Sequence, residues 1–273
     1  MKLTQQQKDF FDTFGFLHVK GALKNEIGWI TEEFETVNRT CVLNSDGTKK
    51  AAIVPFIDQS EKLCTLLEHP VVEGVAESLL GEDFNYLAGD GRYYSGDSGW
   101  HSDGWWDTTS KFMKMAFYLD PLTRDTGALR VVPGSHIVAD QFSTNRGNGG
   151  KNWNSDFGVH GRDIPASALE TQPGDLAIFN HNTKHASFGG NSKRRMFTLN
   201  LGAHATTPAQ LEHLKYYLGA HIPPWAPRTH TELMRSTANE RRMRHLRQVI
   251  ENEGHVAELH EKKKKQKAQT VNA

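Results

Sequence analysis

Short apolar segments separated by turn-forming residues dominate the middle of this chain and limit its fold class. From Phe84 onward, stretches rich in Tyr, Phe, Val and Thr alternate with Gly, Pro and Asp. Strands are predicted in segments 84–88, 92–94, 112–119, 129–132, 175–180 and 196–201. Segments of this length and spacing are typical of an antiparallel sandwich or barrel.

Helical patterns flank this β-rich region on both sides. Apolar residues recur at helical spacing in segments 4–14, 25–38 and 63–80, the last interrupted near Pro70. After His204 the pattern is helical again. We therefore predict one structural domain with three parts along the chain. They are an N-terminal helical support (1–83), a β core (84–204) and a helical C-terminal extension with a basic tail (205–273).

The overall composition favours a soluble protein in a reducing compartment. The 32 basic and 32 acidic side chains balance, so no global charge points to nucleic acid or membrane as a partner. Cys41 and Cys64 are the two cysteines, which argues against a disulfide framework. The N-terminus lacks the apolar core of a signal peptide, and no apolar run is long enough to span a bilayer. We expect a cytoplasmic protein.

Two polar segments have separate interpretations. Residues 141–163 form a Gly-rich insertion that is predicted to be a lid, with simple disorder as the alternative. The lysine run at 262–265 is interpreted as a solvated tail. The sequence leaves the role of this tail and the oligomeric state of the chain open.

His101-Ser102-Asp103 is the motif that best indicates chemistry. Side chains two apart on a strand point to one face, so His101 and Asp103 can grip one metal ion, and His185 can complete the set. Two histidines and one carboxylate leave coordination positions open, which suits non-haem iron(II) oxygen chemistry. The spacing alone is weak evidence. A His-x-Asp match is expected about once by chance in this composition, and His230 and Glu232 form a similar pair in a helical region.

Further motifs follow the metal motif in a fixed order. The strand predicted at 112–119 ends in Asp-Pro-Leu, and residues 125–136 are DTGALRVVPGSH. Residues 173–179 are PGDLAIF, and His185-Ala186-Ser187 and the Arg194-Arg195 pair close the series. This ordered set resembles the phytanoyl-CoA dioxygenase family, a branch of the iron(II)/2-oxoglutarate oxygenases. The resemblance implies a mainly β protein with flanking helices around a double-stranded β-helix (jelly-roll or cupin-like) core.

The resemblance also implies roles for individual residues. His101, Asp103 and His185 would be the catalytic iron ligands, and Ser187 would help to hold 2-oxoglutarate. An arginine would bind the far carboxylate of 2-oxoglutarate through two parallel hydrogen bonds. The strand register favours Arg194 over Arg195, although both remain candidates. Phe117 is expected either to line the 2-oxoglutarate pocket or to be a plain core aromatic.

The implied reaction is oxidation of a small molecule. With iron(II), 2-oxoglutarate and O2, and with ascorbate as an optional aid to turnover, we expect hydroxylation of an unactivated C–H bond and release of succinate and CO2. Related halogenases have Ala or Gly where this chain has Asp103, so halogenation is disfavoured. The alternatives are oxidative cyclisation, desaturation or epimerisation at the same iron site, or a catalytically silent jelly-roll binding module.

Candidate substrate-binding residues flank the metal motif. Arg92 and Tyr94 share one face of the preceding predicted strand, and Trp105 and Trp106 follow the motif. A cationic or planar substrate could stack on the tryptophans, and Arg92 could meet a carboxylate or phosphate. The alternative is that one tryptophan simply covers the core. The identity of the substrate and the position oxidised are not determined by the sequence.

Overall fold

Antiparallel strands form two sheets in a computed structural model of the chain. The structure describes residues 1–41, 51–104, 109–137, 158–190, 194–221, 228–259 and 261–262. The strands are β1 (Phe16–Val19), β2 (Ala51–Ile53), β3 (Asn85–Tyr86), β4 (Gly91–Tyr94), β5 (Ser98–His101), β6 (Phe112–Tyr118), β7 (Leu129–Val131), β8 (Ser167–Leu169), β9 (Leu176–Asn180), β10 (His185–Ser187) and β11 (Arg194–Gly202). The predicted lid at 141–163 lies largely outside the described residues, as does most of the lysine run.

The larger sheet has the strand order β1-β9-β6-β11-β4-β2, with β3 added beside β11. The smaller sheet has the order β5-β10-β7-β8. These two layers confirm the predicted jelly-roll type of fold, in which helices flank a mainly antiparallel β core. Strands that are distant in sequence are neighbours in both sheets, so residues far apart along the chain meet at one site.

The central strands of the larger sheet separate an apolar face from a polar one. Phe117 on β6 pairs with Phe197 on β11, and both rings lie in the core. The alternate residues Lys114 and Arg194 point to the opposite face. The apolar face therefore packs against the helices in the core, while the polar face lines a cavity.

α-Helices surround the sheets, and eight of them are bounded within the described residues. They are α1 (Gln5–Phe14), α2 (Ile27–Cys41), α3 (Glu61–Cys64), α4 (Pro70–Leu80), α5 (Pro208–His221), α6 (Glu232–Ser236), α7 (Glu240–Arg244) and α8 (Arg247–Asn252). None of them combines the length and the apolar character that crossing a bilayer requires.

Local capping explains where the N-terminal helices begin and end. Thr4 and Gln7 form a capping box at the start of α1, and Gly15 ends it in the left-handed conformation with φ of 82°. Pro70 occupies the first turn of α4, where its missing N–H costs nothing, and so the predicted break near Pro70 is confirmed.

Two features of the N-terminal region differ from the sequence prediction. Strands β1 and β2 lie in a region predicted to be mostly helical, and each pairs with an edge of the larger sheet. In addition, Phe11 of α1 is buried, whereas Phe10 and Phe14 are about 40% exposed and contact each other. Short strands gain their stability from pairing partners elsewhere in the chain, which local sequence patterns do not report.

The C-terminal helices pack against the rest of the protein through apolar and polar contacts. Tyr217 and Leu218 of α5 join Leu87 and Phe112 of the β region in one apolar cluster. The buried carboxyl of Asp58 accepts hydrogen bonds from the Tyr86 hydroxyl and from the backbone N–H of Thr231. These contacts fix the C-terminal segment to the sheet.

Candidate metal centre and active site

His101, Asp103 and His185 converge although the chain separates them widely. One potential ligand atom from each lies within 4.8 Å of the other two, and in the described part of the chain no other group of this kind is found. His101 and His185 are direct partners in the register of β5 and β10, and their ring centroids are 4.2 Å apart. Pairing of the two strands therefore sets the distance between the two imidazoles.

Asp103 is positioned by a turn and not by strand alternation. Strand β5 ends at His101, and the backbone N–H groups of Asp103 and Gly104 both donate to the carbonyl of His181, at 2.8 and 2.7 Å. A Cβ on Gly104 would lie 2.0 Å from Asn182 Oδ1, so glycine here leaves room for the Asn182 side chain beside the turn. The structure brings the three predicted residues together, but Asp103 lies beyond the end of β5, so the expectation that it shares a continuous strand with His101 is wrong.

The two histidines are held in the tautomer that a metal ligand needs. His101 Nδ1 lies 2.7 Å from the Gly99 carbonyl, and His185 Nδ1 lies 2.9 Å from the Thr183 carbonyl. A carbonyl oxygen can only accept, so each Nδ1 carries the proton and each Nε2 keeps its lone pair. The Nε2 atoms lie 4.0 and 3.7 Å from the Asp103 carboxylate oxygens. The residues therefore fit a divalent metal ion with open positions for other ligands.

The electrostatics of the centre favour the same protonation states. Burial, followed by the neighbouring His101, lowers the pKa of His185 to about 3, which keeps its ring neutral. Burial alone would raise the pKa of Asp103, but the Lys114 ammonium and the nearby histidines hold it well below its usual range. Lys114 Nζ lies 2.8 Å from Asp103 Oδ2. The centre thus presents the Asp103 carboxylate beside the neutral imidazole of His185.

The polar face of the larger sheet and the smaller sheet enclose a cavity of about 300 Å³ around this centre. Arg194, at the start of β11, lines the cavity together with Ser187 of β10. The Arg194 guanidinium donates to the carbonyls of Gly127 and Gly96, each at 2.6 Å, and lies 3.4 Å from Ser187 Oγ. A Cβ on Gly127 would lie 2.3 Å from the guanidinium, so the Thr-Gly motif leaves room for this side chain.

Arg195 lies on the other side of the strand. Its guanidinium pairs with Asp120 at 2.6 Å and with Glu35 at 2.9 Å. Arg194 and not Arg195 therefore faces the cavity of the triad, as the strand register predicts. Arg195 instead links the sheet to helix α2 through Glu35.

Phe117 does not line the cavity. Its ring stacks on Phe197 with centroids 4.5 Å apart and lies in the apolar core. Tyr118, the next residue of β6, lines the cavity. The expectation that Phe117 lines the co-substrate pocket is therefore wrong, and its alternative, a core aromatic, is correct. Because side chains alternate along a strand, neighbours such as Phe117 and Tyr118 must face opposite sides.

Arg92 and Tyr94 line the cavity as their shared face predicts. The guanidinium of Arg92 lies over the Tyr94 ring at 4.8 Å and pairs with the Asp90 carboxylate at 2.5 Å. Arg92 is therefore neutralised by a residue of its own chain, which weakens its expected role toward a substrate carboxylate or phosphate. Trp105 and Trp106 lie outside the described residues.

Asp90 and Lys114 are cavity residues that the sequence analysis did not select. The sequence does contain a signal that could have selected Lys114, because it is a charged residue within the apolar strand β6. Its side chain shares a face with Ala116 and Tyr118 and not with the core residues. Asp90 has no comparable signal. It directly precedes β4, and only the folded structure places its carboxylate 2.7 Å from the Thr198 hydroxyl.

Comparison with known proteins identifies the family and the fold. A model of the family described as phytanoyl-CoA dioxygenase (PhyH) matches residues 11–197, which include the triad and Arg194. No curated protein matches the sequence significantly.

Three of the similar solved structures are non-haem or 2-oxoglutarate proteins. HygX from Streptomyces hygroscopicus, solved with nickel and 2-oxoglutarate, is 16% identical with a TM-score of 0.60, covering 76% of this chain and 90% of its own. The 2-oxoglutarate-dependent carbocyclase SnoK from nogalamycin biosynthesis is 16% identical with a TM-score of 0.58, covering 74% and 84%. EctD from S. alaskensis, solved with 2-oxoglutarate and 5-hydroxyectoine, is 21% identical with a TM-score of 0.56, covering 74% and 76%.

Proposed function

Because the chain belongs to the phytanoyl-CoA dioxygenase family, we propose that it is an iron(II)/2-oxoglutarate-dependent dioxygenase that hydroxylates a C–H bond of a small molecule. The observation that carries this proposal is the presence of the His101–Asp103–His185 triad and the Arg194 guanidinium in one cavity. In the overall reaction, O2 supplies one oxygen atom to the substrate as a hydroxyl group and the other to succinate, with loss of CO2 from 2-oxoglutarate.

His101, Asp103 and His185 would hold the iron. When bound there, the metal would supply the redox chemistry that couples breakdown of 2-oxoglutarate to oxidation of a C–H bond. The backbone carbonyls of Gly99 and Thr183 accept from the Nδ1–H groups, which orients the two rings and leaves Nε2 of each neutral ring as the atom that would bind the ion. The turn held by the His181 carbonyl keeps the carboxylate of Asp103 beside them.

Arg194 and Ser187 would bind the far carboxylate of 2-oxoglutarate. The guanidinium is held rigidly by two carbonyls of its own chain and is 6% exposed, so little entropy is lost when an anion binds. The Tyr94 ring lies against its face at 5.4 Å and shields it from water. Tyr118 supplies a further hydroxyl to this end of the cavity.

Arg92 and Tyr94 are proposed to border the substrate, together with Trp105 and Trp106. The Asp90–Arg92 ion pair makes this border polar, and the pair as a whole has no net charge. Phe179 of β9 supplies an apolar contact, with its ring centroid 4.6 Å from that of His185. A substrate that excludes water from this side would protect the reaction from unproductive oxidation.

Oxidative cyclisation or epimerisation is the second candidate function. It is supported by the similarity to the SnoK carbocyclase and to the epimerase SnoN, which is 18% identical with a TM-score of 0.57. These reactions use the same kind of centre and differ in the step after hydrogen removal. Mass spectrometry distinguishes them, since hydroxylation adds one oxygen atom to the product whereas cyclisation and epimerisation do not.

Succinate release tests the proposal directly. The full chain is incubated with iron(II), 2-oxoglutarate and ascorbate, with and without a library of candidate small molecules, and compared with Asp103→Ala. We expect succinate from the wild type, stimulated by a substrate, and none from the variant. A wild-type protein that binds neither iron nor 2-oxoglutarate would be a silent binding module, and the enzyme proposal would be wrong.

A further inference from the structure

A second cavity of about 200 Å³ adjoins the cavity of the triad and shares Asp90, Arg92 and Lys114 with it. Lys114 contacts the Asp103 carboxylate, so the shared boundary lies directly beside a predicted metal ligand. Together the two cavities reach the size range of small-molecule sites, roughly 300–1,000 Å³. A molecule in the second cavity would therefore have one end close to the metal centre.

The C-terminal extension builds one wall of this second cavity. Tyr217, Leu218, Arg228 and Thr229 line it, and all four lie beyond the family-matched residues 11–197. This wall is fixed to the rest of the protein, since the backbone N–H of Thr231, two residues after Thr229, donates to the Asp58 carboxylate at 3.1 Å. The side chains that close the cavity are thus a property of this chain's own extension and not of the matched family core.

The lining combines an apolar body with unused polar atoms. Leu87, Tyr217 and Leu218 are at most 4% exposed and form the apolar part. Thr229 is 1% exposed, yet its Oγ1 makes no hydrogen bond. The Oδ1 atom of Asn200 is also buried and makes no hydrogen bond. Buried polar atoms without partners are costly, and so two of them along one cavity point to a ligand that supplies the missing hydrogen bonds.

The charge at the outer end of the cavity is positive. Arg92 and Lys114 are paired with Asp90 and Asp103 at the inner end. Arg228 has a 3.7 Å contact with Glu232, but both side chains are more than half exposed, so this pair is weak. Arg228 can therefore bind an external anion next to the Thr229 hydroxyl.

We propose that this second cavity is the substrate site of the dioxygenase and that it takes a small aliphatic carboxylic acid. The carboxylate binds at Arg228 and Thr229, and the chain lies along Leu87 and Leu218. The distal C–H bonds then lie at the Lys114 boundary, facing the triad. The inference rests on the proposed function, because only an oxidising centre gives this orientation a catalytic meaning.

Ligand binding to the full chain tests this site. Hexanoate and hexanamide, which differ in charge but hardly in shape, are titrated calorimetrically under nitrogen, both with and without iron(II) and 2-oxoglutarate. We expect hexanoate to bind about tenfold more tightly than hexanamide, which is the gain from one hydrogen bond to a charged group. Arg228→Gln should remove this preference, and the isosteric Thr229→Val should weaken hexanoate binding severalfold.

Two further variants separate a local effect from a general one. Leu218→Trp fills the cavity and should weaken both ligands by at least about tenfold. Lys215→Gln removes an exposed cation from the same helix α5 outside the cavity and should leave both affinities and succinate formation as in the wild type.

These experiments distinguish an error in the substrate-site proposal from an error in the dioxygenase proposal. If neither hexanoate nor hexanamide binds, if both bind equally, or if Arg228→Gln keeps the full preference, the cavity is not a carboxylic acid site. In that case 2-oxoglutarate binding and succinate formation by the wild type would still support the dioxygenase. If the wild type does not bind 2-oxoglutarate, the proposed dioxygenase function is wrong.

Discussion

His101 and His185 stand directly opposite each other on two antiparallel strands, with ring centroids 4.2 Å apart, although 83 residues separate them in the sequence. The strand register sets their distance, and a backbone carbonyl two residues before each ring orients it. The two imidazoles are therefore arranged by main-chain hydrogen bonds before any metal binds. Such preorganisation reduces the entropy lost on metal binding.

Removing one of these histidines should weaken metal binding. We expect His185→Ala to lower the affinity for iron(II) or nickel(II) by well over tenfold, because even loss of a group that merely orients a ligand costs about ten- to a hundredfold. Titration of the full chain by calorimetry measures this change. The exposed His160 provides the matched control, since His160→Ala should bind metal like the wild type. Equal affinities for both variants would exclude His185 as a ligand.

Arg194 and Arg195 allow a comparison between adjacent residues of one type. Arg194→Lys keeps the charge but loses the planar fork, and we expect it to raise the Kd for 2-oxoglutarate about tenfold to a hundredfold. Arg195→Lys should leave that Kd within about twofold and instead lower stability, because it weakens the contacts with Asp120 and Glu35. Calorimetry and urea unfolding measure the two effects. The reverse pattern would assign the co-substrate to Arg195.

The Lys114–Asp103 pair should be strongly coupled in the metal-free protein. Removing one partner of a fully buried ion pair costs about 3–5 kcal/mol. Both side chains here keep some exposure, 16% and 19%, so we expect Lys114→Met to cost about 2 kcal/mol of unfolding free energy. The double variant Lys114→Met/Asp103→Asn should lose less than the single variant, because no unpaired charge is left. Additive losses in urea unfolding would show that the pair is not coupled.

Asp58 should make stability depend on pH. Burial raises its pKa from 3.8 to about 7, so the folded protein keeps a proton that the unfolded chain releases between these values. The contribution of this carboxyl to the free energy of unfolding is therefore largest below pH 3.8, decreases as the pH rises toward 7 and is constant above about pH 7. The whole decrease is at most about 4 kcal/mol. Asp58→Asn should flatten this slope in urea unfolding at several pH values.

The exposed Asp83 supplies the control for that experiment. Its side chain is 62% exposed, so Asp83→Asn should retain the wild-type slope between pH 4 and 7. A slope unchanged in Asp58→Asn would mean that the carboxyl of Asp58 ionises in the folded protein as it does in the unfolded chain.

Much of the architecture and the chemistry follows from local patterns in the sequence. Short segments of strand-forming residues between turn signals predict β6 at 112–119 and β11 at 196–201, and Pro70 predicts the start of α4, because these signals act within a few residues. The spacing of His101 and Asp103, together with the ordered motifs up to Arg194, predicts the family. The alternation of side chains along a strand predicts which of two adjacent arginines faces the cavity.

Other features depend on contacts between distant segments, and only the tertiary structure decides them. Strands β1 and β2, the turn that aims Asp103 at the histidines, and the hydrogen bond between Asp90 and Thr198 each require a partner far away in the chain. The second cavity likewise exists only because the C-terminal extension packs against Leu87 and Phe112. The sequence by itself determines which side chains can do the chemistry, since local backbone preferences and residue types are encoded locally. The fold determines their distances and partners, because those arise from long-range pairing.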